Sequence, residues 1–264
     1  MARFSFQQRG GRTANCLLAL IFTLSAAAFA GAQQQQQEKE PTLAEAKAAF
    51  AKADRALNQA WGAAKAALTG DAATQLTQSQ REWLQFRDYQ AGWESEQAGQ
   101  KDPKRSAIWH SIAADLTTSR AEWLRGRARK VDAEETLTGL WSDSYGGTLS
   151  VVQQEGRLFF MCEVVRGPTY HTGSIAGVAS WNQKIGWFSD KGRDPDKPDE
   201  TNIAFTDREG CLELVGANTM HYHGARAHFD GIYCKVGTLA AEEQAKVLKA
   251  AESGEADGPE SGGG

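Results

Sequence analysis

An arginine beside an aromatic residue at helical spacing is the most informative chemical feature of this sequence. Trp83 and Arg87 are four residues apart in a segment rich in helix formers, so a helix places the guanidinium beside the indole. A guanidinium withdrawn from water is tolerated when its donors are satisfied. We therefore expect Asp54 and Asn58, four apart on an earlier helix, to supply a carboxylate and an amide to Arg87.

A later segment repeats this combination of apolar residues and an arginine, and it contains Thr117 and Arg120. Arginines between helices more often serve packing than ligand binding, so we interpret the whole set as a structural clasp, with a ligand site as the alternative. This predicted arginine clasp comprises Asp54, Asn58, Trp83, Arg87, Thr117 and Arg120.

The segments that carry this pattern resemble the lysozyme-inhibitor LprI family over residues 42–130. The resemblance is carried by residues 53–58, 80–88 and 116–124. It implies a helical fold and a role in inhibiting lysozyme. Members typically carry two cysteines near the positions that are Ala91 and Ile112 here, so the disulfide that staples two helices in those members is missing.

An inhibitor of lysozyme must occlude a long acidic cleft, which a polar or basic loop would enter. Two segments of this sequence offer such loops, at residues 97–104 and 191–197. The candidate residues are Lys101, Lys104, Lys191, Arg193 and Lys197.

The composition predicts an α+β fold in which an N-terminal antiparallel helical bundle is followed by a small antiparallel β-barrel of about eight strands. Residues 42–130 are rich in helix formers, and Gly70-Asp71 and Asp102-Pro103 divide them into three helices. From residue 136 the chain is punctuated by glycines and rich in β-branched and aromatic residues, which indicates strands. The predicted strands are 139–144, 148–153, 158–165, 172–180, 185–189, 202–206, 211–215 and 227–236.

The two ends of the chain predict export and a short tail. Arg3, Arg9 and Arg12 precede an apolar run that ends in a small-x-small cleavage pattern, so we expect residues 1–32 to be a signal peptide. We expect a disordered tether at 33–41, a helical domain at 42–130, a barrel domain at 136–237, and a short helix and disordered tail at 238–264. The protein would then be periplasmic or secreted, without a membrane span.

Removing those three arginines lowers the formal net charge from −4 to about −7, which argues against nucleic acid as a partner. An acidic surface favours encounter with basic proteins, and lysozymes are commonly basic. Lysozyme-like proteins are therefore the predicted partners.

The predicted mature chain keeps Cys162, Cys211 and Cys234, which allow three pairings. We favour a bridge between Cys211 and Cys234, because both lie in late predicted strands that are candidates to be neighbours. A buried, reduced Cys162 is an equally ordinary fate for that residue.

Catalytic and metal chemistry find little support in the sequence. His221 and His223 fall at strand period two and, with His228, are weak candidates for a metal site, but a tight polar turn is the more ordinary interpretation. Glu163 and Glu213 would form an acid pair if both pointed inward. We found no nucleophile elbow, phosphate loop or zinc helix motif, so we expect no enzyme and no cofactor.

Two functions remain. The first is an exported inhibitor of lysozyme-like muramidases. The alternative is a lipocalin-like binder of a small ligand or envelope component, since Gly139-Leu140-Trp141 resembles the start of lipocalin-like barrels. Its barrel interior would be lined by some of Trp141, Phe160, Trp181, Trp187 and Phe205.

Overall fold

The structure, a computed structural model, describes residues 40–132, 134–191 and 200–256. Three helices come first in this part of the chain. They are α1 (Leu43–Ala67), α2 (Gly70–Gln97) and α3 (Ala107–Ala128). The predicted break at Gly70 is confirmed. Pro103 begins a short 3-10 turn rather than α3, which starts later because the Ser106 hydroxyl accepts a hydrogen bond from the Trp109 amide at 3.0 Å. The predicted signal peptide lies outside the described residues.

Helix α1 packs along α3 through small side chains. Its N-terminus is fixed by a capping box, in which Thr42 and Glu45 exchange side-chain and backbone hydrogen bonds. The buried face of α1 is mostly alanine, and α3 presents alanines in return. Small side chains on both helices let the two backbones approach closely.

Eight antiparallel strands of the described chain close into a barrel in sequence order, with β8 pairing β1. The predicted α+β class and barrel are therefore confirmed. The strands are β1 (Gly139–Ser142), β2 (Gly147–Gln154), β3 (Arg157–Arg166), β4 (His171–Trp181), β5 (Ile185–Ser189), β6 (Asn202–Asp207), β7 (Cys211–Ala217) and β8 (Gly231–Gly237). The prediction of a strand from residue 227 was wrong, because β8 starts only at Gly231.

The hairpin turns use left-handed backbone, as their sequences indicate. Glu155 and Gly156 have φ of 46° and 73°, and Glu209 and Gly210 have φ of 56° and 96°. Gly146 is required for a second reason, since a Cβ there would lie 2.2 Å from the Val165 carbonyl oxygen. These turns set the register of neighbouring strands.

Side chains fill the barrel interior. Phe160 is fully buried, and its ring lies 5.2 Å from that of Phe188 and 5.0 Å from that of Phe205. Trp187 is on the outer face and 52 % exposed, so it does not line the interior as the small-ligand hypothesis supposed. Glu163 and Glu213 also alternate with inward residues and are partly exposed, so they do not form an inward acid pair.

Helices cover much of the outer face of the barrel. The C-terminal helix α4 (Ala241–Ser253) packs on β2, β3 and β4, while α3 packs on β8. Under α3 lies the disulfide between Cys211 and Cys234, which confirms the favoured pairing. Cys162 is free and buried inside the barrel. Gly126 lets α3 approach β8, because a Cβ there would lie 2.6 Å from the Lys235 carbonyl oxygen.

Candidate functional site

Arg120, at the centre of the helix–barrel interface, is the main residue of the arginine clasp. Its side chain is fully buried and donates three hydrogen bonds, to Gln80 Oε1 at 3.0 Å, Ser144 Oγ at 3.0 Å and Ser79 Oγ at 2.8 Å. The guanidinium carbon also lies 4.1 Å from the centre of the Trp123 ring. Burial lowers the pKa of Arg120 to about 10, which still leaves it charged at neutral pH.

The β1–β2 turn brings barrel atoms to this arginine. Ser144 has a left-handed φ of 63° and accepts the Trp83 Nε1 hydrogen bond on its carbonyl at 3.2 Å. The preceding Asp143 fixes the turn, since its Oδ1 accepts from the Tyr145 and Gly147 amides at 2.8 Å each. A buried ion pair with Arg166 holds that carboxylate in place. The clasp therefore joins helices to barrel as well as helix to helix.

The predicted pairing of Arg87 with Asp54 was wrong. Arg87 instead donates from Nη2 to the neighbouring Asp88 at 2.7 Å, and its guanidinium carbon lies 5.3 Å from the Phe50 ring centre. Asp54 stays within its own helix, where it accepts a hydrogen bond from Asn58 Nδ2 at 3.1 Å. Asn58 is exposed and Asp54 is only partly buried.

Thr117 is fully buried, as a clasp residue should be, yet its hydroxyl has no hydrogen-bond partner in the described part of the chain. Ala91 and Ile112 lie in one apolar cluster with Phe50 and Trp109. Apolar packing thus holds α2 and α3 together at this point.

The loop between α2 and α3 carries an exposed basic surface, which we call the basic tip: Lys101, Lys104 and Arg105. Lys104 is 70 % exposed and its Nζ lies 3.9 Å from Asp88 Oδ2, while Arg105 is 85 % exposed and 3.9 Å from Asp102 Oδ2. Exposed ion pairs at such distances contribute little. These cations therefore remain accessible to another molecule.

The second predicted loop is described only at its start. Lys191 is exposed, and its backbone amide donates to Ser189 Oγ at 3.2 Å. Arg193 and Lys197 lie outside the described residues. Both lysines of the first loop are therefore exposed, and the second loop stays a prediction.

The histidines do not share a strand face. His221 lies in a short 3-10 turn (Thr219–Tyr222) and His223 follows it, with its ring nitrogens 3.0 Å from Thr219 Oγ1 and 2.9 Å from the Gly224 carbonyl oxygen. His228 Nδ1 lies 3.2 Å from the Asp230 carbonyl oxygen. Among the described residues, no group of three His, Cys, Asp or Glu side chains is placed to hold a metal ion.

A groove of about 610 Å³ lies between the helices and one end of the barrel. Its walls include Phe86 and Tyr89 of α2, Tyr145 of the β1–β2 turn and Ile232 of β8. We call it the helix–barrel groove. Sequence reasoning missed it because its two walls are about 60 to 140 residues apart in the chain, and no spacing rule relates such positions.

Comparison with known proteins identifies the helical part of the chain. The family model described as lysozyme inhibitor LprI matches residues 30–124, which include α1, α2, the basic tip and most of α3. No curated protein and no solved structure matches the chain. No helix among the described residues is long and apolar enough to cross a membrane. The family match therefore covers most of the three-helix segment of this chain, and the barrel follows outside the match.

Proposed function

We propose that this protein is an exported inhibitor of lysozyme-like muramidases, and that the basic tip enters the enzyme's substrate cleft. The observation that carries the proposal is the LprI match, because it spans both helices that present the tip. The barrel lies outside that match, so we assign inhibition to the helical face.

The chemistry of the tip suits an acidic cleft. Glycosidases of this kind use a pair of carboxylic residues beside the scissile bond, so their clefts carry negative charge. Lys101 and Lys104 extend from a loop whose ends are held by long helices, and the 3-10 turn fixes the backbone at Pro103. A rigid loop loses little conformational entropy on binding.

The net negative charge of the whole chain favours long-range attraction to a basic lysozyme. With the predicted signal peptide removed, the formal net charge is about −7. A basic lysozyme would be attracted to such a protein, and the local positive tip would then orient the complex toward the acidic cleft.

The test is lysozyme activity on bacterial cell walls in the presence of the purified mature chain. We expect inhibition by the native protein and a loss of about tenfold or more in potency for Lys101→Glu/Lys104→Glu, since both changes place a carboxylate opposite the cleft. Lys246→Glu/Lys249→Glu is the matched control, because it makes the same charge change on exposed positions of α4. Equal potency of the two double variants would show that the basic tip does not contribute to inhibition.

Failure of the native protein against several lysozyme types would remove the inhibitor function itself. The packed core that contains Trp141, Phe160 and Phe205 argues against the lipocalin-like alternative, which needs an open barrel interior. The export that the proposal requires is checked separately, by sequencing the N-terminus of the protein recovered from the cell envelope. A start near Gly31 or Gln33 is expected, whereas recovery of a chain that retains Cys16 would contradict export by cleavage.

A further inference from the structure

The helix–barrel groove has the size and character of a small-molecule site. Its volume of about 610 Å³ is within the usual range of ligand pockets. Phe86 and Tyr145 form its aromatic side, with ring centres 5.0 Å apart, and Tyr89 adds a ring that is 61 % exposed. An exposed tyrosine next to two further rings leaves apolar surface that a ligand would cover.

The charged groups around the groove differ in whether they already have a hydrogen-bond or ion-pair partner within the protein. Arg120 donates to three side chains of its own protein, and Arg166 is paired with Asp143. Glu82, on the α2 side, accepts a hydrogen bond from Gln78 Nε2 at 2.7 Å. Arg226, on the barrel side, forms no ion pair or hydrogen bond within the part of the chain that the structure describes.

The backbone presents Arg226 in an unusual way. Its φ is 70°, a left-handed conformation that long side chains rarely adopt, and it lies in a turn closed by the Ala227 amide donating to the Gly224 carbonyl at 3.1 Å. The exposed guanidinium is thus carried by a short turn at the edge of the groove.

Hydrogen bonds within the protein hold the opposite walls of the groove together. Tyr170, in the loop that also contributes Pro168, donates its hydroxyl to the Glu94 carboxylate on α2. Trp123 donates its indole N–H to the Ile232 carbonyl at 2.8 Å. These contacts keep the groove open without requiring a ligand to assemble it.

We propose that the helix–barrel groove binds a small anionic amphiphile. An apolar ring or chain lies against Phe86, Tyr89 and Tyr145, and a carboxylate or sulfonate accepts hydrogen bonds from Arg226. Glu82 repels an anion on the α2 wall. On the barrel wall Asp143 is paired with Arg166 and Asp230 accepts a hydrogen bond from the Gly216 amide, so an acidic group there meets Arg226 as the unpaired charge of the described chain. This site is separate from the basic tip and does not rest on lysozyme inhibition.

Two fluorescent probes of nearly the same shape test the charge requirement: anilinonaphthalene sulfonate, which is anionic, and N-phenylnaphthylamine, which is neutral. Fluorescence titration of the folded mature chain should give saturable binding of the sulfonate. Arg226→Gln should raise the sulfonate Kd about fivefold or more and change the Kd of the neutral probe less than about twofold, because it removes one charged hydrogen bond. Tyr89→Ala should raise both Kd values about threefold.

Matched controls separate this site from other exposed surface. Arg157→Gln removes an exposed arginine elsewhere on the barrel, and Trp187→Ala removes the exposed aromatic of β5, so both should leave sulfonate binding unchanged. A cooperative thermal melt for each variant shows that the probe is reporting on folded protein. The proposal is overturned by absence of saturable sulfonate binding, by an unchanged Kd in Arg226→Gln, or by loss of binding in Trp187→Ala.

Discussion

Truncation of Arg120 to alanine should be far more damaging than truncation of Arg87, although the sequence alone favoured Arg87. Arg120→Ala removes hydrogen bonds to Ser79, Gln80 and Ser144 and leaves the Gln80 side chain, which is 8 % exposed, without its donor. Losing hydrogen bonds to a charged group in this way costs about 1.5–3 kcal/mol, and losing the buried contact with the Trp123 ring costs about 1–2 kcal/mol, so we expect a total of about 3–5 kcal/mol.

Arg87→Ala should cost much less. Its ion pair with Asp88 is partly open to water, with 39 % of the aspartate side chain exposed, and such pairs contribute about 0–1 kcal/mol. Its approach to Phe50 and Trp83, at 5.3 and 5.6 Å, adds about 0.5–1 kcal/mol. The expected total is about 0.5–2 kcal/mol.

Urea unfolding of the full mature chain measures both values. Tryptophan fluorescence is a suitable signal because Trp83 and Trp123 lie against Arg120. Circular dichroism gives a second signal, and coincident curves justify a two-state treatment. A loss for Arg87→Ala that equals or exceeds the loss for Arg120→Ala would refute the assignment of Arg120 as the main residue of the clasp.

Three further outcomes follow from the described contacts. Cys162 should resist thiol reagents in the native state, because burial raises its pKa to about 12. The mature chain, denatured without reductant, should show one reactive thiol, and three reactive thiols would contradict the disulfide. The hydrogen bond from Lys235 Nζ lowers the pKa of Glu135 in the folded protein. The native protein should therefore be more stable than Glu135→Gln above pH 4.5, the usual pKa of this carboxyl group, and should lose that advantage as the pH falls through the lower pKa of the folded state. An advantage that persists at about pH 2 would contradict this. A fragment of residues 41–130 should not unfold cooperatively, because it lacks Ser144, the barrel acceptor of Arg120; a sharp melt would show that the helices fold alone.

The barrel was predictable because local signals agree along most of its length. Glu155-Gly156 and Glu209-Gly210 accept the left-handed backbone that tight hairpins need, and β-branched and aromatic residues fill the strands between such turns. The end of the barrel was less predictable. Residues 227–230 have strand-like composition, yet they precede β8 because Gly231 is the first residue to pair with β7.

The sequence predicted a buried arginine between the helices, but it favoured Arg87 where the structure has Arg120 as the main residue. Helical spacing correctly placed Trp83 and Arg87 on a buried face of α2. It did not reveal that Arg120 contacts Ser144, because that serine lies in the β1–β2 turn, which is in contact with the helices only in the tertiary structure. Burial depth is a property of the assembled fold, so the choice between two arginines on helical faces needed the tertiary structure.

The most direct measurement for the central claim is calorimetric titration of the mature chain into lysozyme, with and without an N-acetylglucosamine oligomer in the enzyme's cleft. Occlusion of the cleft by the basic tip requires the protein and the oligomer to compete, so the apparent Kd should rise in inverse proportion to the fraction of clefts that the oligomer leaves empty. Binding of unchanged affinity to the filled cleft would show that the protein contacts lysozyme elsewhere, and absence of binding to the empty cleft would contradict the inhibitor function.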